Sequence, residues 1–184
     1  MKIRVALPED AEKIAANNVL LARESEGKSI QYETTLRGVE EVIDDENKGF
    51  YIVAEENGEI IGQTMVTYEW SDWRGKQIWW LQSIYVRKEY RKKGVMKAII
   101  NEIIKMAKEK NVFMLRLYVY KKNKIAMKAY EKNWDAKSAI FDVRVIHTNH
   151  VYNACKASSP AYHMQPIFHA TLDWSFSALP RQCP

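Results

Sequence analysis

Two repeats of apolar and polar positions alternate along residues 1–145, one of two residues and one of about 3.6. The first marks strands and the second helices. Lys2 to Ala6 reads as a short strand. Pro8-Glu9-Asp10 opens a helix with acid at its positive end. That helix turns Ile14, Ala15, Val19 and Leu20 towards a core and runs to about Arg23. A loop from Glu24 to Gln31 leads to a second helix carrying Leu36, Val39, Val42 and Ile43, which Lys48-Gly49 ends. Phe50 to Ala54 and Ile60 to Tyr68 are paired strands around Asn57-Gly58, a strong hairpin-turn dipeptide. Trp70 to Gly75 is a turn and Ile78 to Val86 the next strand. A periodic helix follows over Val95 to Lys110. In Phe113 to Tyr120, Leu115, Leu117 and Val119 share one face of a strand, and Met114, Arg116, Tyr118 and Tyr120 the other. Asn123 suits a helix N-cap, since its side-chain oxygen can accept an orphan N–H. Ile125, Ala126, Ala129 and Tyr130 share the face of that helix, and Asn133 suits its left-handed end. Ser138 to Val145 is the last strand. The order is β-αα-β-β-β-α-β-α-β. It predicts an α/β (α+β) domain over residues 1–145 with a mixed central sheet, because it joins antiparallel hairpins to a crossover unit.

The stretch Val86 to Ala98 carries the sharpest chemistry. A strand delivers the chain into Arg91-Lys92-Lys93-Gly94, and a helix begins at Val95. The first turn of a helix has N–H groups without partners inside the helix, and its dipole places partial positive charge there. Gly94 lets the backbone come close to a phosphate in torsions that a β-carbon resists. The three basic residues add attraction. The turn is suited to a diphosphate.

Arg91-Lys92-Lys93-Gly94-Val95-Met96 resembles the acyl-CoA-binding motif of the GNAT acetyltransferase superfamily, Arg/Gln-x-x-Gly-x-Gly/Ala. Met96 departs from the small residue of that pattern, but a phosphate needs only its backbone N–H. Asn123-Lys-Ile-Ala-Met-Lys-Ala-Tyr-Glu-Lys-Asn-Trp134 resembles the later family motif Asn-x-x-Ala-x-x-x-Tyr-Glu-Lys-x-Gly-Phe. It matches at Asn123, Ala126, Tyr130, Glu131 and Lys132, and Asn133-Trp134 replaces Gly-Phe. The two segments stand in the family's order and spacing, and the resemblance covers residues 1–145.

The resemblance implies an acyl-CoA-dependent N-acetyltransferase. Acetyl-CoA is the expected co-substrate, a small-molecule or peptide amine the acceptor, and direct attack in a ternary complex the route. A splay between the fourth and fifth strands would receive the pantetheine arm. Ser83, Ile84, Tyr85 and Val86 would offer it backbone partners, Arg91 to Met96 (Arg91, Lys92, Lys93, Gly94, Val95 and Met96) would hold the pyrophosphate, and Asn123 would add a polar contact. Tyr130 is the expected general acid, since a phenol with a pKa near ~10 is protonated at neutral pH. Glu69 is the candidate base. Glu24 and Glu26 in the first inter-helix loop, with Trp70 and Asp72 in the aromatic segment Tyr68 to Trp73, are candidates for the acceptor site. Aromatic faces attract cations, so a cationic, partly apolar acceptor suits them.

Residues 146–184 read differently. They hold all four histidines, both cysteines and four of the five prolines, with no clear period. Their Cys and His spacings match no zinc pattern, and no metal is expected. The tail reads as an appendage, disordered or artefactual in origin. Its charged residues, Lys156, Asp173 and Arg181, give +1, so residues 1–145 carry +4 of the formal +5. That mild balance needs no nucleic acid to explain it. No apolar run reads as a secretory signal or a membrane span, and the domain has no cysteine, which fits a reducing cytoplasm. The resemblance also allows a homodimer. A catalytically silent CoA-binding or protein-interaction module of the same fold is the alternative reading, and retention of Tyr130 speaks against it. An acetyltransferase acting on aminoacyl-RNA would instead show a contiguous basic face and salt-dependent RNA binding.

Overall fold

The computed structural model describes residues 1–120, 123–124, 127–128 and 141–146. The elements are β1 (Lys2–Val5), α1 (Ala11–Glu26), α2 (Tyr32–Asp44), β2 (Phe50–Glu56), β3 (Glu59–Ser71), β4 (Lys76–Val86), α3 (Val95–Glu109), β5 (Met114–Tyr120) and β6 (Phe141–Ile146). Short 3-10 turns at Pro8–Asp10 and Lys88–Tyr90 lead into α1 and towards α3. The six strands form one sheet in chain order. β1 to β4 are antiparallel neighbours, while β4–β5 and β5–β6 run parallel, so the sheet is mixed as the element order predicts.

Several boundaries differ from the sequence reading. α1 continues to Glu26 and stops at Gly27, whose φ of 65° lies in the left-handed region. Glu24 and Glu26 therefore belong to its last turn and not to a loop. Trp70 and Ser71 extend β3 because they pair with Gln77 and Lys76 across the hairpin. The described part of the last strand is Phe141–Ile146, and the expected start at Ser138 lies outside the described residues. The central run of the predicted helix after Asn123, Tyr130 included, and the tail beyond Ile146 lie outside the described residues.

The sheet separates two apolar layers. On one face Ile52, Ala54, Val66, Trp79, Leu81, Leu115 and Leu117 pack against Val95, Ile99, Ile100 and Ile103 of α3. On the other, Tyr51, Val53 and Ile60 meet Ile14, Ala15 and Val39 of α1 and α2. Strand alternation divides Trp79, which is buried, from the half-buried Trp80 on the opposite face. One glycine sets how closely α3 approaches. A β-carbon on Gly62 would stand 2.8 Å from Val95 Cγ1 and 3.2 Å from Ile99 Cδ1. The missing side chain lets the first turn of α3 rest on β3, and the basic loop leads into that turn.

Chain entry is fixed by charge. Arg4 on β1 donates to both oxygens of Asp10 at 2.5 and 2.9 Å and to Glu55 at 2.8 Å. Asp10 is buried and also accepts the Leu7 N–H at 2.8 Å. Burial pushes its carboxyl pKa up, but Arg4 and the Leu7 amide outweigh that and hold it below the ordinary carboxylate value.

Candidate functional site

The site begins with a disagreement in strand register. Gln63 pairs with Tyr85 and Met65 with Gln82, so Ser83 and Ile84 of β4 together face the single residue Thr64. This is a β-bulge, and it turns β4 away from β5. The two strands pair only over Ile78–Leu81 and Met114–Leu117. Beyond that, β4 stays with β3, and β5 stays with β6 from Tyr118↔Arg144 to Tyr120↔Ile146. No strand pairs across the gap from Gln82–Val86 among the described residues. Ser83 sits at φ 49°, an uncommon conformation for a residue with a β-carbon.

β4 leads straight from this gap into the basic loop. Lys92 and Gly94 are left-handed at φ 63° and 83°, and Gly94 is the N-cap of the 15-residue α3 with no side-chain cap. The first N–H groups of α3 therefore point out of the helix end without an internal acceptor. A β-carbon on Gly94 would meet nothing within 4 Å, so the ground before the loop is open. Met96 turns its side chain against the α3-side core. Its bulk therefore packs inward, and its backbone N–H remains on the helix end. Lys92 and Lys93 are exposed, with Lys93 Nζ 5.2 Å from the Tyr90 ring centre. These features fit a diphosphate.

Arg91 and Val86 are tied differently from the sequence expectation. Arg91 Nε donates to the Val86 carbonyl at 2.8 Å, so that carbonyl is already engaged. Arg91 Nη2 donates to Glu24 at 2.5 Å, Lys88 lies 3.6 Å from the same carboxylate, and the Tyr85 hydroxyl donates to it at 3.1 Å. Glu24 thus clasps the end of α1 to the splayed segment and to the basic loop. Burial raises its pKa, and Arg91 and Tyr85 more than offset this, holding it below the ordinary value. Burial and then the Glu24 carboxylate push the Tyr85 phenol up to about 12.

The expected acceptor cluster is not brought together. Glu26 pairs with Lys28 on the surface. Trp70 is exposed near the far end of the β3–β4 hairpin, opposite Gln77. Six residues separate Gln77 from Ser83, about 20 Å of strand. Asp72 lies in that hairpin turn and accepts the Trp73 N–H. Glu69 stands opposite Ile78, five residues and about 16 Å from the bulge. Its carboxylate accepts from Trp80 Nε1 at 2.5 Å and from Arg116 at 3.3 Å. Arg116 also reaches Asp142 at 3.2 Å, joining β3, β4, β5 and β6 by one polar row. Glu69 is therefore a member of that row and too far from the gap to take a proton there. Asn123 accepts the Met127 N–H on its carbonyl at 3.1 Å, as a helix N-cap does.

Sequence reasoning missed a buried polar chain beneath the bulge. Gln63 Oε1 accepts from Asn17 at 2.9 Å, and Gln63 Nε2 donates to Asn18 at 2.9 Å and to the Ile14 carbonyl at 3.3 Å. Asn18 Nδ2 donates to the Tyr51 hydroxyl at 3.2 Å. The signal was present: Gln63 interrupts an apolar strand run, and Asn17 sits where the stripe of α1 should be apolar.

A hollow of about 430 Å³ lined by Pro8, Ala11, Arg37, Glu40, Glu41 and Asp44 lies at the start of α1 and the end of α2. None of its lining residues comes from β4 or the basic loop. Among the described residues, no group of three or more His, Cys, Asp or Glu side chains could hold a metal ion, and no helix is long and apolar enough to cross a membrane.

Comparison with known proteins agrees with this geometry. Residues 18–134 match the model of the acetyltransferase (GNAT) family. The crystal structure of a possible acetyltransferase from Clostridium difficile 630 is 38% identical, with a TM-score of 0.67 over 79% of this chain and 98% of that one. The thialysine N-epsilon-acetyltransferase of Bos taurus is 36% identical over 72 residues, 39% of this chain. That match spans only 42% of the bovine protein's length. The crystal structure of a predicted acetyltransferase with acetyl-CoA from Clostridium acetobutylicum shares the fold, at 17% identity and a TM-score of 0.59 over 74% of this chain and 92% of that one.

Proposed function

The chain belongs to the GNAT acetyltransferase family, and on that premise we propose that it moves an acetyl group from acetyl-CoA to a primary amine by direct attack in a ternary complex. The observation that carries this reading is the continuity of the bulge at Ser83, the parted strands and the uncapped start of α3 at Gly94. Together they make a slot that ends in an anion site. Acetyl-CoA, when bound, supplies a thioester activated for attack by an amine.

The chain's own residues then have separate tasks. The N–H groups from Gly94 to Met96, with Lys92 and Lys93, hold the diphosphate. The backbone of Ser83, Ile84 and Tyr85 lines the slot, and the Val86 carbonyl orients Arg91. Asn123 starts the helical turn on the far side of the parted strands. Holding donor and acceptor in one cleft supplies proximity without a covalent enzyme intermediate. Tyr130, outside the described residues, is assigned by its motif as the acid that protonates the leaving thiolate. Glu69 is set aside as base because of its distance and its two donors. The likeness to the bovine thialysine N-epsilon-acetyltransferase supports a primary amine as acceptor.

Thermal unfolding with acetyl-CoA, against desulfo-CoA and ATP, tests the reading before the acceptor is known. A ligand at a hundred times its Kd stabilises a fold by about 2.7 kcal/mol, several degrees here. Saturable stabilisation that Gly94→Glu abolishes supports the proposal, and an amine screen for CoA release follows. Tyr130→Phe should then bind acetyl-CoA and lose turnover. No shift at millimolar acetyl-CoA would overturn the enzyme reading.

A further inference from the structure

The fork between β4 and β5 has a shut end as well as an open one. The last backbone pair joining the two strands is Leu81↔Leu117. Both leucines are buried in the α3-side layer and fill that face of the fork. Tyr118 is the next residue of β5, and its backbone pairs with Arg144 of β6. Its side chain nevertheless reaches back to β4. The Tyr118 and Trp80 rings stack with centroids 4.7 Å apart and planes at 28°. The stack is a bridge of side chains one residue past the last bridge of backbone, on the face opposite the leucines. Trp80 is the fixed half of it. Its Nε1 donates to Glu69 at 2.5 Å, and the Arg116 guanidinium lies 5.7 Å from its ring centre. Arg116 is itself held by Glu69 and Asp142. The polar row across the sheet thus sets the ring on which Tyr118 rests. Tyr118 is 44% exposed, so its own ring stands at the edge and not in the core.

The slot therefore runs from the basic loop to an end shut by two leucines on one face and two stacked rings on the other. Val86 to Gln82 is four steps of strand, about 13 Å. An extended arm anchored by its diphosphate at the start of α3 carries its thioester towards that end. We propose that Trp80 and Tyr118 are specificity-determining residues that bound the acyl group by length, admitting acetyl and excluding longer chains. The proposal rests on the reading of the slot as the acyl-CoA site.

The test reads Kd by calorimetry for CoA, acetyl-CoA and butyryl-CoA in the wild type, Tyr118→Ala and Tyr118→Phe. A shut end makes wild-type binding of butyryl-CoA at least fivefold weaker than that of acetyl-CoA. An open apolar space would do the reverse, since each buried methylene is worth about fourfold in Kd. Tyr118→Ala uncovers the Trp80 face, and butyryl-CoA should then bind at least as tightly as acetyl-CoA. Tyr118→Phe keeps the stack and the wild-type ratio. Free CoA, which has no acyl group, should bind all three proteins within twofold of one another. A wild-type ratio below fivefold, or a ratio that Tyr118→Ala leaves unchanged, would overturn the proposal and leave the proposed function standing. So would an alanine variant that binds CoA and acetyl-CoA more weakly to the same degree, because the stack would then only support the slot. A wild type that binds none of the three ligands would bring down the proposed function and this proposal with it. Should Tyr118→Ala not fold, Tyr118→Val is read by the same ratio.

Discussion

Gly62→Ala tests whether α3, and the basic loop it carries, is seated by the absence of one methyl group. The added carbon would lie 2.8 Å from Val95 Cγ1, 3.2 Å from Ile99 Cδ1 and 3.4 Å from Val86 Cγ2. Favourable carbon contacts lie at about 3.5–4.0 Å, so the worst clash needs a retreat of about 0.7 Å or more. Val95 is β-branched, in the first turn of a helix and buried, so it cannot easily rotate away. Overpacking of this kind costs about 1–3 kcal/mol, and the lower chain entropy of alanine returns about 0.4–1 kcal/mol. A net loss of about 1–2 kcal/mol follows, which lowers Tm by about 2–8 °C for a chain of this size. Val95→Ala alone should cost about 1–2 kcal/mol through its cavity. In the double variant the new methyl enters the space left by the valine methyls, so the costs should fall short of their sum by about 1 kcal/mol or more. Urea unfolding of the four proteins at constant m-value gives the cycle. Strict additivity within 0.3 kcal/mol, the error expected for sites that do not touch, would refute the packing argument. Gly62→Ala should also weaken acetyl-CoA binding, because the first turn of α3 is the part that moves.

Other outcomes follow from the charges. Asp10→Asn should cost about 3 kcal/mol at neutral pH, since it leaves Arg4 with Glu55 alone. Because the folded Asp10 pKa lies below the unfolded value near ~3.9, the wild-type advantage is complete above that value. It should fade as pH falls through the folded value, which urea midpoints at pH 7, 4 and 2.5 would show. Glu24→Gln should change stability by less than about 1 kcal/mol, the pair being partly exposed. It should tighten acetyl-CoA binding about two- to fivefold at low salt by removing an anion beside the loop. Weaker binding in a calorimetric titration would count against the placement of the diphosphate. Glu69→Gln keeps an acceptor for Trp80 and Arg116, so turnover should stay within about twofold, whereas loss of a general base costs about a hundredfold or more.

What the chain determined by itself is what depends on neighbours in sequence. The period-two and period-3.6 runs name the elements because burial on one face needs only local spacing. The basic loop is legible for the same reason: Arg91 to Gly94 and the start of α3 are consecutive residues, and a helix end is an anion site wherever it occurs. Asn123 is legible as a cap on the same ground. What the tertiary structure alone decided depends on register across the sheet. Glu69 looks like a base until pairing with Ile78 sets it five residues from the bulge. Glu24 looks like a loop residue until α1 runs on to Gly27 and delivers its carboxylate to Arg91. Tyr51, Asn18 and Gln63 come from three different elements, and no spacing along the chain relates them. A hydrogen bond between distant residues is created by the packing of α1 on the sheet. A side chain carries its chemistry in the sequence, but its distance to a partner exists only once the strands have chosen their register.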